Sequence, residues 1–322
     1  MTTAPRVSVI TIFKDPPVGF FEEAIQSVFD QTVPDWELIL VDDGSADGAP
    51  LEVARRTATH RPDTVRLLHH PDRANQGMSA SRNLGLANAR GEFVSFLDAD
   101  DLYLPEKLAR QLEVFDRHPE VAIVYGPTLH WWSWTGEAAD VARDHPRRLG
   151  FPPERTVEPP ALVRAFIADR ADTPATCAVL IRREAVETVG GFENDFVDLY
   201  EDQAFFYKLL LRYPAYLEAE AWDRYRRHPD ALCEVRIREG RHSDDTRPTE
   251  ARRRFLAWLE RYLRMTGQGD AAIRRAVRRL GWPYRHPRSY ATAISLQAIA
   301  RHIIPPGARR IGRRFIEGLP IT

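Results

Sequence analysis

The sequence predicts an α/β fold: a mostly parallel central sheet flanked by helices, followed by a helical, arginine-rich C-terminal region. Three observations carry this. Over the first 125 residues, short β-branched apolar runs alternate with segments of helical spacing, the pattern of a parallel sheet covered on both faces. Two acidic clusters, Asp42-Asp43 and Asp98-Ala99-Asp100-Asp101, each follow one of those runs, at the strand ends where such sheets bind ligands. Charge also divides the chain. Residues 250–322 hold 16 arginines, no lysine and 4 acidic residues, a net +12, so residues 1–249 carry −13 within an overall charge of −1.

The elements follow in order. Val7-Ser8-Val9-Ile10-Thr11-Ile12 reads as a buried strand. Phe20 to Phe29 is a helix with Phe21, Ile25 and Val28 on one face. Trp36 to Val41 is the second strand, ending at Asp42-Asp43-Gly44-Ser45, and a polar helix spans 48–60. Strands at 65–69, 92–97 and 121–125 alternate with helices at 79–89 and 105–117, the last opened by Pro105. The stretch 126–175 is irregular and holds Trp131, Trp132 and Trp134. A further strand is expected at 177–181, a helix at 201–213, and one extended segment from Tyr216 to Arg227. Beyond about 250 the chain reads as helical. The predicted division is 1–235, with a nucleotide-binding half at 1–125 and an acceptor-binding half at 126–235, then a basic helical extension at 236–322.

Hydrophobic residues at 43% and charged residues at 28% describe an ordinary globular chain rather than a disordered one. No run of about 18 apolar residues points to a membrane span, and Met1 to Arg6 does not resemble a signal peptide. Cys177 and Cys233 are too few for a disulfide framework. A cytoplasmic protein is expected.

Three carboxylates within Asp98 to Asp101 repel one another, and a cation relieves them. Mg²⁺ or Mn²⁺ suits such oxygens and keeps positions open for phosphates. The plain alternative is an acidic turn ahead of the next helix. Asp43 would accept from the N–H of a uracil or thymine ring, or merely cap a helix. Glu201-Asp202 opens a helix, where the dipole favours acid, but a carboxylate there can also take a proton from an acceptor hydroxyl. Asp202 is the expected base, with Glu201 in support. His228, in Arg226-Arg227-His228-Pro229, reads as a surface residue or as a contact to metal or diphosphate.

The ordered motifs resemble family 2 glycosyltransferases. They are Val7-Ser8-Val9-Ile10; Gln31-Thr32 before Trp36 to Ser45; Asn75-Gln76-Gly77 with Ser81-Arg82-Asn83-Leu84-Gly85; Phe96 to Asp101; Gly190-Gly191-Phe192; and Glu201-Asp202. The resemblance spans about 6–230 and implies a GT-A fold with inversion at the anomeric carbon. By that resemblance Asp43 contacts the nucleobase, Asp98 reaches the ribose or the metal, Asp100 holds the metal, and Asp202 is the base. Arg82 and Glu201 fall among the donor-binding residues, and His228 matches a histidine some members place near the metal. Ile12-Phe13-Lys14-Asp15 stands where members often carry a Pro-Thr-Tyr-Asn-like turn.

The expected activity is transfer from a UDP- or TDP-sugar to a saccharide or lipid-linked acceptor, in bacterial polysaccharide or glycolipid assembly. A nucleotidyltransferase would need a glycine-rich basic loop after the first strand, and Phe13-Lys14-Asp15-Pro16-Pro17 is not one. A non-catalytic sugar-nucleotide binder is the other alternative, which the intact Asp202 opposes. The tryptophans 131, 132 and 134 offer sugar stacking, with core packing as the plain reading. The arginine pairs read as solvated helix faces, as contacts to a second subunit, or, at 307–316, as a basic amphipathic helix on the inner face of a membrane. No motif supports nucleic-acid binding.

Overall fold

A computed structural model of the chain describes residues 4–196, 199–240 and 248–292. Its contacts divide the chain into two compact units that meet between Val235 and Arg236. The first begins with β1 (Val7–Phe13), α1 (Val18–Phe29), β2 (Trp36–Asp42), α2 (Ala49–His60), β3 (Val65–His69), α3 (Met78–Asn88) and β4 (Phe93–Phe96). A short β5 (Leu102–Tyr103) leads to α4 (Lys107–Arg117) and β6 (Ile123–Tyr125). The stretch expected to be irregular holds β7 (Leu129–Trp131), α5 (Ala138–Val141), β8 (His145–Pro146), β9 (Arg155–Val157) and α6 (Ala161–Ile167). Then come β10 (Leu180–Arg182), α7 (Arg183–Val189), α8 (Glu201–Leu210), β11 (Ala215–Leu217), β12 (Asp223–Arg226) and α9 (Leu232–Arg238).

The large sheet has the order β3-β2-β1-β4-β10-β6-β11-β9. Its first four strands are parallel, with Val9 opposite both Leu38 and Ser95. All seven residues of β2 are buried, which is why that segment reads as a continuous apolar run. Phe21, Ile25 and Val28 of α1 and Leu108, Leu112 and Phe115 of α4 join the core around it. Each such side chain adds about 1.5–3 kcal/mol on burial. β10 is antiparallel to both β4 and β6, and the residues before it, Thr176–Ala178, form a 3-10 turn rather than strand. A short run buried on both faces gives no sign of its direction; the neighbours decide it.

The segment 216–227 is not one strand. Ala215–Leu217 joins the large sheet, while Asp223–Arg226 enters a second sheet of order β5-β12-β7-β8. The small sheet lays β12 antiparallel to β5 and parallel to β7.

The strand order reverses at β1, between β2 and β4, and α3 packs on β1 there. Gly85 makes this approach close: a Cβ at that position would lie 2.5 Å from Ile10 Cγ2. Gly85→Ala gains up to about 1 kcal/mol of helix propensity but overpacks by about 1–3 kcal/mol. We expect a net loss, read as a melting midpoint a few degrees lower, about 2–4 °C per kcal/mol. A midpoint at or above that of the parent would show that Ile10 yields without cost.

The second unit contains α10 (Glu250–Thr266), α11 (Ala271–Leu280) and α12 (Trp282–Arg285). Thr249 and Asp270 cap α10 and α11 by accepting from the amides of Arg252 and Ile273. α10 buries Phe255, Leu256, Trp258, Leu259 and Leu263 and exposes arginines, two of which pair with Glu250. The basic helix expected at 307–316 lies outside the described residues. Among the described residues no helix is long and apolar enough to cross a membrane.

Candidate active site

The carboxyl ends of β2 and β4 carry the two acidic loops on either side of β1. Asp43 is buried, and its Oδ1 accepts from the amides of Gln76 (2.8 Å) and Gly77 (3.2 Å) at the start of α3. Its Oδ2 accepts from Asn75 Nδ2 at 3.3 Å. Gly44 lets the Asn75 loop come this close: its φ is +78° and a Cβ would meet Asn75 N at 2.6 Å. Asp15, in the turn after β1, sits at φ 46° and accepts from the Ala46 amide at 3.0 Å, so that turn and the Asp43 loop are tied together.

Arg82, on α3, is buried and bridges two carboxylates: Nη2 donates to Asp98 Oδ1 at 2.9 Å and Nη1 to Glu201 Oε1 at 3.0 Å. Burial alone would lower its pKa, but Asp98 and Glu201 more than reverse this and hold it charged. The other oxygen of Asp98 accepts from Thr176 Oγ1 at 2.8 Å.

Asp100 points elsewhere. His228 Nε2 lies 3.0 Å from its Oδ2, and His228 is only 5% exposed. Asp101 is buried; its Oδ1 accepts from the Arg226 amide at 2.9 Å and its Oδ2 has no partner among the described residues. Burial, and then Asp100 and Asp98, push Asp101 well above the usual carboxylate range.

Asp202 and Glu201 open α8 after Tyr200, which sits in the left-handed region at φ 68°. Burial raises both, Glu201 to about 7. Asp202 also feels Arg147, Arg82 and Asp98. The chain therefore brings Asp98, Arg82, Glu201 and Asp202 into one charged cluster, with Asp100 and His228 paired beside it on the same turn.

The sequence reading passed over several of these groups. Arg226 holds the acidic turn: besides its amide bond to Asp101, its Nε donates to the Asp100 carbonyl at 2.8 Å and its guanidinium pairs with Glu23. Phe20, Trp131 and Trp134 surround it at 4.1, 4.7 and 5.5 Å. Two of the three tryptophans thus serve this arginine, and Trp132 packs under Arg143 at 3.5 Å. The signal is present in Arg226-Arg227-His228, where sequence reasoning singles out the histidine alone. Thr176 gave none. Beneath the turn lies a buried cation, Lys107, whose Nζ donates to Gln111 at 2.7 Å while Gln111 donates to Glu218 at 2.9 Å. Both cysteines are free, and Cys177 donates to Asp223 at 3.3 Å.

Asp100 and His228 pair a hard carboxylate with a borderline imidazole, partly open on the Asp100 side. Among the described residues no three such side chains gather around one point. These two side chains are of types that would suit a divalent ion, and its remaining ligands would have to come from outside the protein.

Residues 8–189, more than half of the chain, match the profile of Glycosyl transferase family 2. The putative glycosyltransferase EpsE of Bacillus subtilis (strain 168) is 33% identical over 130 residues, 38% of this chain and 43% of that protein. The O-antigen biosynthesis protein RfbC of Myxococcus xanthus is 32% identical over 199 residues, 61% of this chain and 14% of that protein. The matched part spans less than half the length of either relative. The mannosyltransferase PcManGT from Pyrobaculum calidifontis, solved with GDP-Man and Mn²⁺, is 22% identical, with a TM-score of 0.60 over 99% of this chain and 83% of its own; it shows the same GT-A fold. With its motifs set at the ends of parallel strands and its profile matched across the sheet, the chain belongs to glycosyl transferase family 2.

Proposed function

We propose that the chain is an inverting, metal-dependent glycosyltransferase that moves a sugar from a UDP- or TDP-sugar to a hydroxyl of a saccharide or lipid-linked acceptor, in polysaccharide or glycolipid assembly. One observation carries the reading: the Arg82 bridge ties Asp98, at the donor end of the sheet, to Glu201, the neighbour of the candidate base. Donor and acceptor machinery are thereby locked to one guanidinium.

Asp43 is fixed by two amides so that an oxygen can accept from a base N–H. Asp98, fixed by Arg82 and Thr176, faces the ribose side. Asp100 and His228 would hold the ion, which when bound would offset charge growing on the departing diphosphate. Asp202 takes the proton from the acceptor hydroxyl as that oxygen attacks the anomeric carbon from the face opposite the leaving diphosphate. The C–O bond to the acceptor forms, the bond to the diphosphate breaks, and configuration inverts. Burial of Asp202 makes it a stronger base than an exposed aspartate.

A donor panel tests this. With Mn²⁺ or Mg²⁺ present, a UDP- or TDP-sugar should raise the melting midpoint and be turned over, while GDP-mannose serves as the competing donor. Preference for GDP-mannose would overturn the pyrimidine assignment at Asp43, and no response to any sugar nucleotide would overturn the whole reading.

A further inference from the structure

A histidine that serves a metal is ordinarily steered by a hydrogen bond on its other ring nitrogen. His228 lacks that support. Its Nε2 lies 3.0 Å from Asp100 Oδ2, and among the described residues no hydrogen bond reaches its Nδ1. The backbone around it is well held. The Arg227 amide donates to the Trp131 carbonyl at 3.1 Å, and the His228 carbonyl accepts from the Ala231 amide at 3.1 Å. Trp134 Nε1 donates to the Arg227 carbonyl at 2.9 Å. None of these bonds sets the rotation of the imidazole about its own side-chain torsions.

Phe20 meets the ring instead. The two rings pack edge to face, with centroids 5.3 Å apart and planes at 67°, an arrangement aromatic pairs favour.

Phe20 is itself held on several sides. α1 turns Phe21, Ala24, Ile25 and Val28 into the core, which anchors the helix and leaves Phe20 half-buried on its flank. The Arg226 guanidinium covers the Phe20 ring at 4.1 Å, and Trp134 meets it edge to face at 5.1 Å. Glu23, three residues further along α1 and so on the same side of the helix, pairs with the same guanidinium. The start of α1 therefore grips the end of β12 twice, once by a ring and once by a charge. A phenylalanine placed only to fill the core would not be half-buried at the junction of a helix with the candidate metal pair.

We propose that Phe20 is a positioning residue for the candidate metal site: its ring sets the orientation of the His228 imidazole and keeps Nε2 on Asp100. The inference rests on the reading that Asp100 and His228 hold the ion.

Mn²⁺ titrated into the full chain tests it, with UDP in one series and GDP in another, and with the free ion followed by electron paramagnetic resonance. His228→Ala should weaken Mn²⁺ binding about 10-fold or more. Phe20→Leu keeps apolar bulk but loses the ring, and should weaken it about 3–10-fold, the worth of one aromatic contact. Phe20→Tyr keeps the ring and should stay within about twofold of the parent. In a His228→Ala background Phe20→Leu should add nothing, because its effect passes through that imidazole. Melting midpoints are taken for every variant. A lower midpoint for Phe20→Leu with Mn²⁺ affinity unchanged would make Phe20 merely structural and overturns the proposal. So does a loss that persists in full without His228, which traces it to Arg226 and the acidic turn. Mn²⁺ binding that His228→Ala leaves intact, or its absence from the parent with both nucleotides, removes the metal assignment of the Asp100–His228 pair and this proposal with it.

Discussion

Asp202→Asn is expected to lower sugar transfer by about 10²–10⁴-fold while leaving donor affinity within about twofold, since a positioned base acts on the transition state and not on the bound donor. Asparagine keeps the shape of the side chain and its place at the start of α8, but cannot take up the proton. The pH profile supplies a second reading of the same group. Asp202, half-buried, and the buried Glu201 are adjacent and raised together, so they take up a proton as a pair. The base works only when ionised. The kcat of the parent should therefore fall as pH drops into a range raised above that of an exposed aspartate, because burial raises Asp202 together with Glu201. In Asp202→Asn the small residual rate should lose that limb. Steady-state rates across the pH range, with donor binding measured in parallel, decide the matter; a variant that transfers sugar at the parental rate would remove Asp202 from the mechanism.

Arg82→Ala should produce the largest loss of stability. Its guanidinium is 3% exposed and stands between two carboxylates, of which Glu201 is 8% exposed. Truncation leaves Glu201 buried beside Asp202 with no cation, and breaking such a pair costs about 3–5 kcal/mol. For a unit of this size that corresponds to a melting midpoint lower by on the order of 10 °C. Arg82→Lys keeps the charge but cannot span both partners, so an intermediate midpoint is expected. Pairing Arg82→Ala with Glu201→Gln should restore part of the loss, because the uncompensated charge is then gone. A midpoint for Arg82→Ala within about 1 °C of the parent, against the loss expected for a buried pair, would mean that solvent reaches these carboxylates.

The parallel half was legible because burial on both faces writes itself into composition. β2 and β4 are short apolar runs, and each leads directly into an acidic cluster, Asp42-Asp43 and Asp98 to Asp101. The position of Asp43 and of Asp98 to Asp101 followed from that alone. Other features left no such trace. The direction of β10 is set by β4 and β6, not by Leu180 or Ile181. The small sheet is made of strands two to four residues long, too short to show a period. Arg226 and Lys107 are buried cations, and a sequence shows their charge but not the carboxylates and rings that make burial tolerable. The resemblance gives Asp98 to the ribose or the metal and Asp100 to the metal; it gives no sign that Asp98 meets Arg82 and Thr176 while Asp100 meets His228.

The bond between Asp100 and His228 joins residues 128 positions apart, and the anchors from Arg226 to the acidic turn span 125 and 126. A ribosome adding roughly 5–20 residues per second takes about 6–26 s to travel that distance. During this time β1 to β4 can already pair with one another, since every partner they need among themselves has emerged. The nascent chain then presents Asp43 and Asp98 to Asp101 without Arg226, His228 or Asp202. On the proposed assignment such an intermediate would have a place for a nucleotide but no proton acceptor, and its acidic turn would lack the strand that holds it. On the same assignment, a translation product cut short before α8 would lack both the proton acceptor and the strand that holds the turn, and would be expected neither to transfer nor to hydrolyse a sugar nucleotide.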